Sequence, residues 1–333
     1  VNARRNNLII AGEVINIPLV LAPMAGITHS AFRRLVADFG GYGALFTEML
    51  SASALQRENL FASPFTRRRP ADGLTCYQLG LVDSINIGPA MEKLATINPY
   101  AIDINLGCPA PEIRRRGGGT ELFDDRDRLQ AVLAAARSRW KGILTVKCRL
   151  GKRTVDWQER FTDRMKVIRE AGVDAVIVHP RFADEKLRGR ARWSLFPWIA
   201  SQVRLPVIGN GDIASSREVI SLLDEGLCAG CMIGRMAVVK PWIFRDISGS
   251  AAQVDYRETW NRFYGYVCED FPPGKAIGRL KQFIAYFACN FFFGHELYRK
   301  AQGTKDCATL RNHVDRFLSD SPVLLKEPSV TGV

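Results

Sequence analysis

Eight short, unbroken apolar runs separated by amphipathic stretches constrain this chain more than any other feature. The runs are Leu19-Val20-Leu21-Ala22, Ala44-Leu45-Phe46-Thr47, Leu74-Thr75-Cys76-Tyr77, Ala101 to Ile104, Leu144-Thr145-Val146-Lys147, Ala175-Val176-Ile177-Val178, Pro206-Val207-Ile208 and Gly230-Cys231-Met232-Ile233. A continuous apolar run, as opposed to an alternating one, marks a strand covered on both faces, hence a parallel sheet flanked by helices. Helical patterns lie between most of them, as at Leu129 to Arg139, Phe161 to Ala171 and Ser216 to Asp224. Eight β-α units in about 230 residues point to a closed (β/α)8 TIM barrel, with an open doubly wound sheet as the rival. A hairpin is expected just before the barrel, from Leu8-Ile9-Ile10-Ala11 and Val14-Ile15-Asn16-Ile17, turning at Gly12-Glu13 and plugging the barrel floor.

From about Asp255 the pattern changes. Residues 255–270, 275–293 and 304–319 read as helices, with Trp260, Phe263, Tyr264, Phe283, Tyr286 and Phe287 at helical spacing. The expected division is a barrel over 1–248 and a small C-terminal helical domain over 254–325, linked near Gly249-Ser250. The aromatics are read as its core.

In a (β/α)8 barrel the active site lies at the C-terminal ends of the strands. Those positions carry Met24-Ala25 after the first strand, Gln78 after the third, and Asn105 with Cys108 after the fourth. Lys147 and Arg149 follow the fifth, His179 and Arg181 the sixth, Asn210-Gly211-Asp212 the seventh, and Gly234-Arg235 the eighth. Strands seven and eight commonly build a phosphate site in this fold. Glycines let backbone N–H groups approach phosphate oxygens, and an arginine can fork onto two of them. Tight turns with a surface arginine are the plainer alternative.

Within this set, Asn105-Leu106-Gly107-Cys108-Pro109 stands out. Pro109 disfavours the α region for Cys108, so the thiol sits on extended backbone at a strand end. Gly107 lets the chain turn. A buried thiol capping a strand is the structural alternative. Two other motifs carry less. Cys228-Ala229-Gly230-Cys231 has metal-like spacing but no second ligand pair nearby. Gly117-Gly118-Gly119 has no strand directly before it and reads as a flexible connection. Trp193 is read as part of the barrel wall, with base stacking as the alternative.

The formal net charge is +12 and the pI about 9.5. Residues 254–333 contribute only +2 of this, so the excess lies on the barrel. Much of it sits in Arg67-Arg68-Arg69, Arg114-Arg115-Arg116 and the stretch with Arg181, Lys186, Arg188, Arg190 and Arg192. Clustered positive charge favours a polyanionic partner. The second and third clusters flank the expected mouth, whereas Arg67 to Arg69 precede the third strand and are expected to matter less. Eight cysteines without framework spacing, and no apolar segment behind Arg4-Arg5, lead us to expect reduced thiols in the cytoplasm; a monomer is expected as well.

Six segments in order resemble the tRNA-dihydrouridine synthases: Leu21-Ala22-Pro23-Met24-Ala25-Gly26-Ile27-Thr28, Asp103-Ile104-Asn105-Leu106-Gly107-Cys108-Pro109, Val146-Lys147-Cys148-Arg149, Val178-His179-Pro180-Arg181, Gly209-Asn210-Gly211-Asp212 and Ile233-Gly234-Arg235. The likeness spans residues 19–245, and Arg279-Leu280-Lys281-Gln282 extends it into the helical tail. The resemblance implies FMN across the barrel mouth, with Pro23, Met24, Ala25 and Gln78 along its ring. It implies Lys147 and His179 against the cofactor, and Asn210, Gly211, Asp212, Gly234 and Arg235 at its phosphate. NADPH would recharge the flavin, and tRNA would be the substrate. A hydride would go to C6 of a uracil and a proton to C5 from Cys108. Asn105, Arg149 and Arg181, with Lys147, would steady the charge on O4. Arg114, Arg115 and Arg116 would hold the RNA backbone, and the helical tail would form the second wall of its groove. A free thiol titrates near 8.5 and is a competent acid at neutral pH. Two departures stand out: Ala110-Pro111-Glu112-Ile113 where relatives place a lysine soon after Cys-Pro, and His29 where an aspartate is common.

Overall fold

A computed structural model describes residues 7–185 and 189–330 of the chain. Two antiparallel strands, β1 (Leu8–Ile10) and β2 (Glu13–Ile15), precede eight parallel ones. These are β3 (Leu19–Leu21), β4 (Ala44–Ser51), β5 (Thr75–Gly80), β6 (Ala101–Leu106), β7 (Ile143–Cys148), β8 (Ala175–Val178), β9 (Val207–Asn210) and β10 (Gly230–Ile233). Each pairs with its neighbours in sequence and β10 closes on β3, so the sheet is a closed barrel and the open-sheet rival falls away. The hairpin turns at Ala11-Gly12, one residue earlier than expected. Both residues have positive φ (51° and 84°), the primed turn that matches strand twist. Leu8, Ile10 and Ile15 pack with the small apolar cluster inside the barrel.

Side chains on a strand alternate between faces, and here that alternation sorts the chemistry. In β6, Ile102, Ile104 and Leu106 face the helices, while Ala101 joins the interior cluster. Asp103 and Asn105 share the parity of Ala101 and so fall inside. In β7, Ile143 lies inside and Leu144, Val146 and Cys148 outside, which turns Thr145 and Lys147 inward. The barrel is therefore apolar at its floor and polar towards the C-terminal ends.

The expected helices Leu129 to Arg139 and Phe161 to Ala171 begin earlier, at Arg126 and Trp157, because Asp125 caps the first and Asp156 precedes the second. The tail forms Tyr256–Asp270, Pro273–Phe287, Gly294–Gly303 and Cys307–Ser319. The second ends at Phe287, short of the expected 293, and the third lies between the expected helices, where none was foreseen. Asn290, buried, spends its amide on Val239 O and Phe287 O and so breaks the helix. Any Cβ at Gly294 would lie 1.9 Å from Ala288 O. The tail shares one continuous apolar cluster with the barrel. Phe263 and Phe283 pack on Phe32 of the Ser30–Phe39 helix, with centroids 6.3 Å away.

Arg67 and Arg69 do not serve a remote face. Both ion-pair with Asp270 at the end of the Tyr256–Asp270 helix, Asp270 also accepts from Ser30 Oγ, and Arg34 and Arg69 hold the neighbouring Glu269. This cluster therefore ties the tail to the barrel. No helix among the described residues is long and apolar enough to cross a membrane.

Candidate active site at the barrel mouth

A chain of hydrogen bonds fixes the Cys108 loop from below. Thr145 Oγ1 donates to Asp103 Oδ1 (2.6 Å), and Gln78 Nε2 donates to Asp103 Oδ2 (2.7 Å). Gln78 Oε1 accepts from Asn105 Nδ2 (2.9 Å). Asn105 Oδ1 then accepts from the backbone N–H groups of Gly107 (3.2 Å) and Cys108 (2.9 Å). Three neighbouring strands thus orient one half-buried cysteine. Burial pushes the Asp103 carboxyl up to about 6, against the pull of its two donors and Lys147. The Gly117-Gly118-Gly119 segment is not a loose connection. Gly119, at φ 56°, lies against Cys108, where a Cβ would sit 2.3 Å from Cys108 O.

Lys147, partly exposed at the mouth, is brought down to about 8 by burial and then by Arg149, with Asp103 and Cys108 opposing. Arg149 is lowered to about 10 by burial and by Arg181, and donates to Phe182 O (3.1 Å). Both cations interact with Cys108 and also face His179. The groups carried by β6, β7 and β8 thus meet at the C-terminal end of the barrel.

Arg181 requires a correction. Expected on the rim, it is 2% exposed and forms part of the wall. Its Nη1 donates to His179 Nε2 (2.8 Å), and its Nη2 donates to both Asp212 carboxylate oxygens (2.8 and 2.6 Å) and to Gly189 O (2.7 Å). A guanidinium only donates, so His179 Nε2 must accept. His179 is therefore neutral with its proton on Nδ1. Burial, then Lys147, Arg149, Arg181 and Arg235, hold its pKa well below the usual range.

Asp212 also takes Arg235 Nη2 (3.2 Å), so the loops after β9 and β10 are linked by one carboxylate. Asn210 Nδ2 bonds to Met232 O (2.8 Å), and Trp193 Nε1 donates to Gly211 O (3.0 Å). Trp193 stacks on Phe196 and covers Gly209, so it belongs to the wall. The N–H groups of Gly211 and Asp212 donate to no acceptor among the described residues. A Cβ at Gly211 (φ 121°) would lie 2.8 Å from the His179 ring. A bare-backbone cradle beside Arg235 suits a phosphate.

Around the rim, Arg115 and Arg116 are exposed, Arg114 ion-pairs with Glu121 (2.6 Å), and Arg192 pairs with Glu185. Arg190 is exposed, whereas Lys186 and Arg188 lie outside the described residues. Met24 N–H donates to Thr28 Oγ1 (3.0 Å), which clasps the Pro23–Thr28 turn. Two buried acids escaped the sequence reading. Asp103 was visible as a carboxylate two residues before Asn105 in an apolar run. Glu48, in the middle of β4, accepts from Gly26 N (2.7 Å) and lies within the irregularity of the β4 register between Phe46 and Met49. Gln282 of the Pro273–Phe287 helix lies over Gly26, 2.4 Å from where a Cβ would stand, so the tail reaches the mouth. His29 is buried between Phe263 and Phe271.

The dihydrouridine synthase (Dus) family model matches residues 20–269, the barrel and the first tail helix together. The chain belongs to the dihydrouridine synthase family. A probable tRNA-dihydrouridine synthase of Mycobacterium tuberculosis is 30% identical over 320 residues, covering 90% of this chain and 82% of that protein. The tRNA-dihydrouridine synthase B of Proteus vulgaris is 27% identical over 309 residues, covering 91% and 86%. In fold alone, the chain is similar to the old yellow enzyme from Trypanosoma cruzi (TM-score 0.56, 9% identity, 81% of this chain and 97% of that one). Family membership makes it an enzyme of the tRNA-dihydrouridine synthase type, and makes tRNA the substrate that the family implies.

Proposed function

We propose that the chain reduces the C5–C6 double bond of uridines in tRNA, using FMN held at the barrel mouth and NADPH as the electron source. The observation that carries this is the convergence of Cys108, Lys147 and His179 on one mouth, beside the loop in which Gly211 and Asp212 leave N–H groups free. The cradle fits a cofactor phosphate through Gly211, Asp212, Gly234 and Arg235, with Asn210 bracing it from within. Pro23, Met24 and Ala25 line the ring, Lys147 and His179 contact it, and Gln78, buried with its amide held by Asp103 and Asn105, supports the site from below. His179 contributes an Nδ1–H donor. When bound and reduced, FMN supplies the hydride that goes to C6.

Cys108 then donates its thiol proton to C5. The Lys147 ammonium, the Arg149 guanidinium and the Asn105 amide lie where charge on O4 develops, and a base seated at the mouth displaces water, which makes such donors count more. Lys147 interacts with Cys108 and is placed to assist return of a proton to it between turnovers. The target base must leave its stack to reach this depth. Arg115 and Arg116 hold the backbone without reading sequence, with Arg114 in reserve behind Glu121. In this reading residues 1–248 carry the chemistry and the helices of 254–325 contact tRNA.

The test uses purified chain, FMN, NADPH and tRNA transcripts that contain no dihydrouridine. Bound yellow cofactor and dihydrouridine in the product support the reading. Cofactor bound and reduced without any change in tRNA would assign the site to a small-molecule substrate instead.

A further inference from the structure

The Cys228-Ala229-Gly230-Cys231 segment holds no metal ligand set, since no group of three or more His, Cys, Asp or Glu among the described residues is placed to bind an ion. Its two sulfurs nevertheless meet. Cys228 Sγ and Cys231 Sγ are 3.7 Å apart in the layer between the barrel and its helices. Cys231 is fully buried, whereas Cys228 keeps 8% of its surface exposed. The Cys231 thiol beside it draws the Cys228 thiol below its usual range, against burial. Cys228 is the sulfur that solvent reaches, so it is the nucleophile of the pair and Cys231 the thiol that resolves it.

The location matters as much as the contact. Gly209 begins the Gly209-Asn210-Gly211-Asp212 loop. A Cβ there would fall 3.2 Å from Cys228 Sγ and 2.6 Å from the Trp193 ring. Trp193 holds Gly211 O. One sulfur therefore packs beneath the strand that presents the loop, and one indole clamps the loop from the side.

We propose that Cys228 and Cys231 form a redox-modification site, a dithiol that peroxides convert to a disulfide and that loosens the phosphate-binding loop when oxidised. The second half rests on the functional reading above. In the first step the Cys228 thiolate attacks one oxygen of a hydroperoxide. The O–O bond breaks, the leaving oxygen takes up a proton, and Cys228 becomes a sulfenic acid. Cys231 Sγ then attacks that sulfur. The S–O bond breaks, and the hydroxyl departs as water with the Cys231 proton. Two thiols are oxidised by one peroxide, which for hydrogen peroxide is reduced to two waters. Bonding requires the sulfurs to close from 3.7 Å to about 2.05 Å. That draws Cys228 Sγ away from Gly209, against which it packs, and opens a gap under the loop.

The exposed Cys268 and the nearby Cys307 interact electrostatically and would compete for peroxide. The experiment therefore uses the full chain with Cys268→Ser and Cys307→Ser. After hydrogen peroxide treatment, thiols are counted in denaturant and the intact mass and linked peptides are measured. We expect two thiols lost per chain, a mass two hydrogens lighter, and a peptide pair joining Cys228 to Cys231. Adding Cys231→Ser should abolish the link and leave Cys228 open to further oxidation. An unchanged thiol count, or oxygen gained with no link in the parent protein, overturns the proposal. FMN affinity is then measured in both forms, with a several-fold weakening expected on oxidation and reversal by dithiothreitol. If the disulfide forms and FMN binds equally well in both forms, the coupling to the loop is overturned. If reduced protein binds no FMN, the functional reading fails while the thiol result stands.

Discussion

Arg181 Nη1 lies 2.8 Å from His179 Nε2, and the same guanidinium is locked by both oxygens of Asp212. One arginine thereby decides which nitrogen of the histidine carries its proton. The cations facing His179 come from every side of the mouth: Lys147, Arg149, Arg181 and Arg235.

The first prediction follows from that bond. Nitrogen NMR of labelled protein should show His179 protonated at Nδ1 alone, with no titration between pH 5.5 and 8. Arg181→Met should free Nε2 and release this restriction, visible as a tautomer mixture. A His179 resonance that titrates near 6.5 in the unmodified protein would contradict the assignment. The same burial has a stability cost in acid. His29 and His179 both have folded pKa values below the unfolded 6.5, so the unfolded state binds more protons as pH falls below that value. Stability should drop by about 1.4 kcal/mol per pH unit for each histidine. Asp103 has the opposite sign. Its folded value of about 6 exceeds the unfolded one, so its proton uptake offsets part of the loss below pH 6. Urea melts from pH 7.5 to 5 would read the sum.

Lys147 should titrate within the working range. Its ammonium, lowered to about 8, is lost as pH rises through that value. If it stabilises charge in the reaction, the rate of dihydrouridine formation should decline between pH 7 and 9. Lys147→Met should be slow at every pH and flat across that window. A wild-type profile that stays flat to pH 9 would remove the lysine from the chemical step.

Cys108→Ala should retain the fold and the cofactor, because the Asn105 contact is made to the Cys108 backbone and not its sulfur. Product formation should fall by about two orders of magnitude or more, the usual contribution of a positioned general acid. Undiminished dihydrouridine would show that the proton comes from elsewhere.

The contact between tail and barrel should be uneven in its energetics. Asp270 is 1% exposed and holds Arg67, Arg69 and Ser30, so Asp270→Ala strands buried donors. It should cost about 2–4 kcal/mol, measurable in denaturant. Glu269 is 47% exposed and holds the same Arg69 with Arg34. Glu269→Ala should cost under about 1 kcal/mol. Equal losses would mean that the ion pairs do not carry the contact.

Arg115→Ala with Arg116→Ala should weaken tRNA binding and lower the steepness of its salt dependence by about 1.5 logarithmic units per decade. Bound flavin should stay at the wild-type level. Loss of flavin would place these residues at the cofactor.

Unbroken apolar runs were enough to set the number of strands and their parallel order, because a strand covered on both faces needs helices on either side; closure, as against an open doubly wound sheet, was decided by the pairing of β10 with β3. The strand-end residues were legible for the same reason, since a barrel delivers them to one rim. Partnership was not legible. Arg181, Arg67 and Arg69 read as free charge in one dimension, yet each is consumed by an acid far along the chain, Asp212 or Asp270. Glu48 stayed hidden because its partner Gly26 is a backbone amide 22 positions away. Composition and periodicity act locally and determine which elements form. Which charge is neutralised, which tautomer a histidine holds and which two thiols touch depend on contacts between distant segments, and only closure of the barrel brings those together.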